Sequence, residues 1–156
     1  MAYVAVAKDV SANRTRGTMT PKKRRAVMAS IRSKATKPEQ RVKRILRALG
    51  EPYRSNVVAL PGKPDFVLRR KGLLVFVHGC FWHQHTGCRL ARVPKSRPDY
   101  WPEKLSNNRA RDRRIKRTLK RLGWRVITVW ECETFDEEKL ERLLTRRLFT
   151  ATPRVY

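Results

Sequence analysis

Acidic residues are scarce in this chain. Thirteen Asp and Glu face 38 Lys and Arg, so the formal charge at neutral pH is +25, and a polyanion is the expected partner, one whose binding weakens steeply with salt. Long apolar runs are absent. No segment approaches the roughly 18 consecutive apolar residues of a spanning helix, and the opening "MAYVAVAKDV" has too short an apolar run before its charges to resemble a secretory signal. No membrane partner is expected. Cysteine is also sparse: three thiols cannot all pair within one chain, so reduced thiols in a cytoplasm are the expectation. Cys80 and Cys88 lack the C-x-x-C spacing that lets one thiol resolve another's disulfide, which argues against redox catalysis. No internal repeat or heptad register appears, and 156 residues are too few for two independent domains but enough for one modest core.

What remains is mostly helix and strand pattern. Residues 1–19 read as a flexible basic arm. "TPKKRRAVMASIR" then has an N-cap at Thr20, Pro21 at the first helical position, and Val27, Met28 and Ile31 on one face. In "KPEQRVKRILRALG", Val42, Ile45, Leu46 and Leu49 fall at i, i+3, i+4 and i+7 and Gly50 suits the terminus, so a second helix is predicted with Glu39 in its first turn. "DFVLRR" and "KGLLVFVHG" form a predicted β-hairpin, opened by Asp65 and closed by His78. A long irregular segment is expected next. "NNRARDRRIKRTLKRLG" is predicted helical, with Ile115, Leu119 and Leu122 as its buried face; "WRVITVWE" is a strand; "DEEKLERLLTRRLF" is a last helix with Leu140, Leu143, Leu144 and Leu148 inward. The order implies an α/β or α+β fold, a mixed sheet flanked by helices, in a single domain over 20–150 with a tail at 151–156.

Chemistry concentrates in "FVHGCFWHQHTGC", Phe76 to Cys88, which holds two of the three cysteines and all three histidines. Cys80, His85 and Cys88 make C-x4-H-x2-C, soft sulfur and imidazole donors of the kind that tetrahedral zinc prefers. Cys132, after the last strand, is the natural fourth ligand, with His83 as rival. Asp65 is hard enough to hold Mg²⁺, and His78 and His83 can pass protons near neutral pH. Together they could cut a phosphodiester.

The segments "MASIRSKATKPE", "LPGKPDFV", "VFVHGCFWHQHTGC", "PKSRPDYWPEKLSNNRARD" and "LGWRVITVWECE", in this order, resemble the very short patch repair DNA mismatch endonucleases, whose fold is of the restriction-endonuclease type. The resemblance runs from about Met19 to Glu133. It implies that Asp65 is the catalytic metal-binding aspartate and that Val77 offers its main-chain carbonyl to the same Mg²⁺. Glu39, His78 and His83 are implied around the cut phosphate, and Cys80, His85, Cys88 and Cys132 are implied to hold a structural zinc. Phe81, Trp82 and Trp101 match the side chains that wedge into the duplex, where insertion costs least at a base step already poorly paired.

The implied activity is a Mg²⁺-dependent nick of double-stranded DNA on the 5′ side of the thymine in a T:G mismatch, by a DNA-associated cytoplasmic monomer, with a repair polymerase and a ligase acting afterwards. Two departures stand out. The lysine of the restriction-enzyme D…(D/E)-x-K arrangement is missing from "LLVFVHG", so charge stabilisation must come from elsewhere, and HQHTGC is poorer in histidine than the family's knuckle. A restriction-like or transposition-associated nuclease, and a non-catalytic zinc-stabilised nucleic-acid-binding protein, are the alternatives. Coexistence of Asp65 with two histidines favours an enzyme, since a pure binder needs neither.

Overall fold

A computed structural model describes residues 36–95 and 97–149. The expected basic arm, the helix after Thr20 and the tail at 151–156 lie outside them. Helix α1 is Lys37–Ala48 and strand β1 is Arg54–Ser55. β2 is Phe66–Leu68, β3 is Leu73–His78, and helix α2 is Tyr100–Arg121. β4 is Arg125–Trp130 and α3 is Glu137–Phe149.

The strands form one mixed sheet in the order β1-β2-β3-β4. β2 and β3 are the expected hairpin, antiparallel with Phe66 opposite Val75. It turns through residues 69–71 and Gly72, whose φ of 56° is left-handed, a conformation glycine adopts without Cβ strain. β4 lies parallel to β3, pairing Leu73 with Arg125 and His78 with Trp130, and α2 makes the crossover that a parallel pair requires.

Successive residues of the inner strands point to opposite faces, and the core divides accordingly. Phe66, Leu68, Leu73 and Val75 pack with Val42, Ile45 and Leu46 of α1 and Leu140, Leu144 and Leu148 of α3. Val67, Leu74 and Phe76 face the other way, onto Leu119, with Ile115 and Trp124 packed against them. Burial on both faces is why β2 and β3 read as continuous apolar runs rather than alternating ones.

Both α1 and α2 end in the same way. Glu51 N–H donates to Leu46 O, and Trp124 N–H to Leu119 O, at 3.0 Å each, around Gly50 and Gly123 at φ of 66° and 86°; this is the Schellman closure that glycine permits. It explains one correction. Leu122, expected on the buried face, is 58% exposed because it is the C-cap of α2, already outside the helical repeat, and Trp124 covers the core instead. The helix also starts earlier than Asn107: Pro102 falls in its first turn, where its missing N–H costs nothing. Asp65 lies one residue before β2 rather than within it. The short β1 had no sequence signal of its own.

Candidate active site and metal centre

Asp65 stands at the end of the sheet where β3 finishes. Val77 N–H donates to its Oδ2 at 2.7 Å, so hairpin pairing brings the carboxylate against the peptide of residue 77. The loop before it is tightly set. A Cβ on Gly62, whose φ is 74°, would meet Ile115 Cγ2 at 2.5 Å, so only glycine lets "PGKP" press onto α2. Burial pushes the Asp65 pKa from 3.8 to about 6, against the hydrogen bond from Val77; the negative charge of Glu39 adds to the rise and His83 opposes it. Glu39 is tied to Thr36, the N-cap of α1. Thr36 Oγ1 donates to its Oε1 at 2.8 Å, and its own N–H donates back to Thr36 Oγ1.

His78 and His83 stack face to face, with centroids 3.7 Å apart and planes at 14°. His83 Nδ1 lies 2.5 Å from Asp112 Oδ2. Burial, then the charge of His83, depresses the His78 pKa to about 4, with Lys116 and Arg111 contributing in the same sense. His78 is therefore a neutral imidazole at neutral pH. Burial works to raise the Asp112 pKa, yet its hydrogen bond to His83 and the charge of that ring hold it below the ordinary value, so it is an ionised partner. Donor atoms of His78, His83 and Asp112 all lie within 4.8 Å of one another. Among the described residues no such group of three includes Asp65 or Glu39.

The sulfur donors gather separately. One donor atom each from Cys80, His85, Cys88 and Cys132 lies within 4.8 Å of the others. Cys80 Sγ and Cys132 Sγ are 3.7 and 3.3 Å from His85 Nδ1, close to the edge of about 3.6 Å expected of a tetrahedral centre with metal–sulfur bonds near 2.3 Å and metal–nitrogen bonds near 2.0 Å. All three thiols are free. Burial, then the neighbouring Cys80 and Cys88, pushes the Cys132 thiol up to about 12; three crowded sulfurs cannot all ionise without a cation between them. The donor set fits a zinc ion. His85 stacks on Trp130 at 4.2 Å and 7°, and Glu131 Oε2 accepts from Cys80 N–H at 3.2 Å, tying the knuckle to the end of β4.

One backbone feature separates the two groups. His83 and His85 are two apart and would share a side in an extended segment, but Gln84 between them has φ of 52°, and they join different clusters. Such a conformation is strained for a residue with a side chain. Gln84 Nε2 offsets the strain by donating to Phe81 O and Ala91 O at 2.8 and 3.1 Å.

Phe81, Trp82 and Trp101 meet edge to face or tilted, at centroid distances of 5.0, 5.2 and 6.2 Å, and each is half-buried. Asn108 Nδ2 donates to Trp82 O at 3.1 Å, so α2 braces the aromatic group near its start and His83 one turn later. Sequence reasoning missed Asp112. Its signal was available: Leu105, Asn108, Asp112, Ile115 and Leu119 share one stripe of α2, and Asp112 is the only acid between Lys104 and Arg121.

With the geometry in view, residues 16–89 match the family described as DNA mismatch endonuclease Vsr. The Type II nicking enzyme V.XorIIP of Xanthomonas oryzae pv. oryzae is 48% identical over 126 residues, 81% of this chain and 92% of the relative. The DNA mismatch endonuclease Vsr of Escherichia coli is 43% identical over 122 residues, 78% of each chain. Among solved structures, the catalytic domain of the homing endonuclease I-Bth0305I superposes with a TM-score of 0.51 at 24% identity, over 74% of this chain and 97% of that one, a likeness of fold.

Proposed function

Because the chain belongs to the Vsr family of DNA mismatch endonucleases and is a DNA endonuclease that hydrolyses a phosphodiester bond, we propose that it nicks one strand of a duplex on the 5′ side of the thymine in a T:G mismatch, the product of 5-methylcytosine deamination. The observation that carries this reading is the continuity of the two functional groups. Phe81 and Trp82 immediately precede His83, which is held by Asp112, so a base-step wedge and a proton-transfer group are built on one short segment braced by one helix.

The carboxylate of Asp65 and the main-chain carbonyl of Val77 would hold Mg²⁺. Hard oxygen donors suit that ion, and a carboxylate that is costly to ionise when buried is one that a divalent cation would favour. When bound, the ion supplies positive charge at the phosphoryl oxygens and acidifies water. His83 exchanges the proton through Nε2, since Asp112 accepts from Nδ1 and stabilises the charged ring. His78, neutral and stacked on His83, fixes that ring's plane and offers a second site for proton exchange near the phosphate. Glu39, held by the hydroxyl of Thr36, orients water beside Asp65. Lys116 and Arg111, whose charges reach His78, replace the lysine that the restriction-enzyme arrangement would supply from β3. Cleavage leaves a 5′-phosphate on the thymidine side.

Cys80, His85, Cys88 and Cys132 hold a structural zinc in this reading, and Phe81, Trp82 and Trp101 enter the stack at the mismatch. The enzyme acts as a monomer in this reading, and reduced thiols fit a cytoplasmic, DNA-associated enzyme. No helix among the described residues is long and apolar enough to cross a membrane. A polymerase and a ligase act after the nick, which restores nothing by itself.

The test is Mg²⁺-dependent cleavage of T:G and T:A duplexes differing at one base, in several flanking contexts. Nicking 5′ to the thymine of T:G, with T:A spared, is expected. Equal cleavage of both in every context would replace this reading with a restriction-like nuclease of broader target, and tight binding with no cleavage of any substrate would leave a binding protein.

A further inference from the structure

The outer surface of α2 is more basic than its fold requires. Between Lys104 and Arg121 the helix carries nine Lys or Arg, all exposed, while its single acid in that span faces inward to His83. Like charges three or four residues apart repel on a helix, and here none is offset across the surface: among the described residues the one ion pair made by these nine is Arg111 with Asp112, at 3.8 Å. A helix needing only solubility would alternate its signs.

The nine are not spread evenly. Arg109, Arg113, Lys116 and Lys120 recur at i, i+4, i+7 and i+11, one straight row along the flank that adjoins Asp112. Arg114, Arg117 and Arg121 form a second row, on the side opposite Leu105 and Leu119, which are buried in the core. The first row begins within a turn of the Asn108 contact to Trp82 and runs beside the Asp112 contact to His83 before leaving the site.

We propose that the row Arg109, Arg113, Lys116 and Lys120 is a backbone track for double-stranded DNA, gripping consecutive phosphates of the duplex on one side of the cut. Eleven residues at about 1.5 Å rise make a row of about 16 Å, long enough to meet several phosphates of the duplex. A regular row of cations of one sign matches the repeating negative charge of a phosphate backbone. The track thus sets on which side the enzyme holds its duplex while the aromatic group tests the base step. It rests on the reading that the substrate is duplex DNA, and not on the identity of the mismatch.

The experiment compares two triple variants of the full chain with the same change in charge: Arg109→Gln, Arg113→Gln and Lys120→Gln in the track, against Arg114→Gln, Arg117→Gln and Arg121→Gln on the opposite row. Gln keeps helix propensity close to that of Arg and Lys, and equal far-UV circular dichroism checks the helix. Binding of a matched duplex is titrated across salt. The track variant is expected to flatten the slope of log K against log salt by about 2 to 3, close to 0.9 per lost phosphate contact, and the opposite-row variant by less than about 1. Hydroxyl-radical footprinting of the wild type on a T:G duplex should show protection extending further on one side of the nick than on the other. Equal flattening in both variants, no flattening in the track variant, or a footprint symmetric about the nick would each overturn the track, as would loss of RNA-duplex binding with DNA binding intact. Failure of the mismatch reading is separately visible, as equal cleavage of T:G and T:A by the wild type.

Discussion

Two clusters of ligand-type side chains share the segment from His78 to Cys88, and they differ in chemistry, in depth of support and in what they need from the rest of the chain. The first joins His78 and His83 to Asp112 beside Asp65, all nitrogen and oxygen. The second joins Cys80, His85 and Cys88 to Cys132, soft sulfur with one imidazole. Their members alternate along the chain, so proximity in sequence does not sort them. The left-handed turn at Gln84 does, together with what each cluster draws from a distant element: Asp112 from α2, Cys132 from the end of β4. The lesson is that softness of the donors sets what a group can hold, while one backbone conformation sets which donors belong to it.

The comparison is broken most severely at Asp65. Asp65→Asn is expected to lower cleavage by at least about 10³-fold, since a metal contributes several kcal/mol of charge stabilisation, without loss of zinc. The sign of the pKa shift adds a second readout. A carboxyl raised from 3.8 to about 6 binds its proton more tightly folded than unfolded, so its contribution is fully favourable below about 3.8 and is lost as pH rises to about 6. In Mg²⁺-free buffer at pH 7 the Asn variant should therefore be more stable, by roughly 2–3 kcal/mol in urea titration. The same shift requires Mg²⁺ affinity of the wild type to weaken as pH falls below about 6. Wild-type cleavage by the variant would remove Asp65 from the reaction.

Within the first cluster, His83→Ala should cost about 10² to 10⁴ in rate, the usual range for a proton-transfer group, and His78→Ala comparably or somewhat less. Asp112→Asn should cost about 10², because its amide can still contact the ring but no longer stabilises the charged imidazole. Single-turnover rates across pH check this. If Asp112→Asn leaves the profile of rate against pH unmoved, Asp112 is only a packing partner.

The second cluster is sharpened by Cys132→Ser. Zinc affinity measured by chelator competition should fall by at least about 10²-fold, equivalent to about 2.7 kcal/mol of folding stability at a fixed zinc concentration. Zinc uptake by the wild type should release protons, since the Cys132 thiol, pushed up to about 12, must ionise to bind. Full zinc retention would remove Cys132 from the set, and a properly folded, unchelated wild type without zinc would remove the zinc site as a whole.

Much of this was legible in the sequence, for identifiable reasons. The stripe of α1 and the double-sided apolar runs of β2 and β3 are patterns that burial alone imposes. Asp65 and the Cys/His spacing stood out as candidates because few residue types suit metal binding, and the structure gathers the Cys/His donors at one point. Asp112 was not, because its place beside His83 exists only once the crossover lays α2 against the site, and His83, which spacing alone left as a rival to Cys132 for the fourth place in the sulfur group, stands instead with His78 and Asp112. Leu122 misled because periodicity continues through a helix end that the Schellman closure at Gly123 terminates.

The smallest expected effect is on selectivity, and it tests whether the aromatic group belongs functionally with the first cluster. Phe81 meets Trp82 and Trp101 edge to face, which holds the rings ready without a full core around them. Insertion must be offset against unstacking, a few kcal/mol per step in an intact duplex and less at a mismatch. Phosphate contacts, by contrast, act on any duplex and are set by salt. Trp82→Ala should thus lower cleavage of a T:G duplex about tenfold or more, while binding to matched DNA changes little and keeps its salt slope. Trp82→Phe should recover part of the loss, since a smaller ring still stacks. Parallel loss of matched-DNA affinity would mean that Trp82 supports the fold of the segment rather than the wedge, and an unchanged ratio of T:G to T:A cleavage in Trp82→Ala would detach the aromatic group from mismatch recognition.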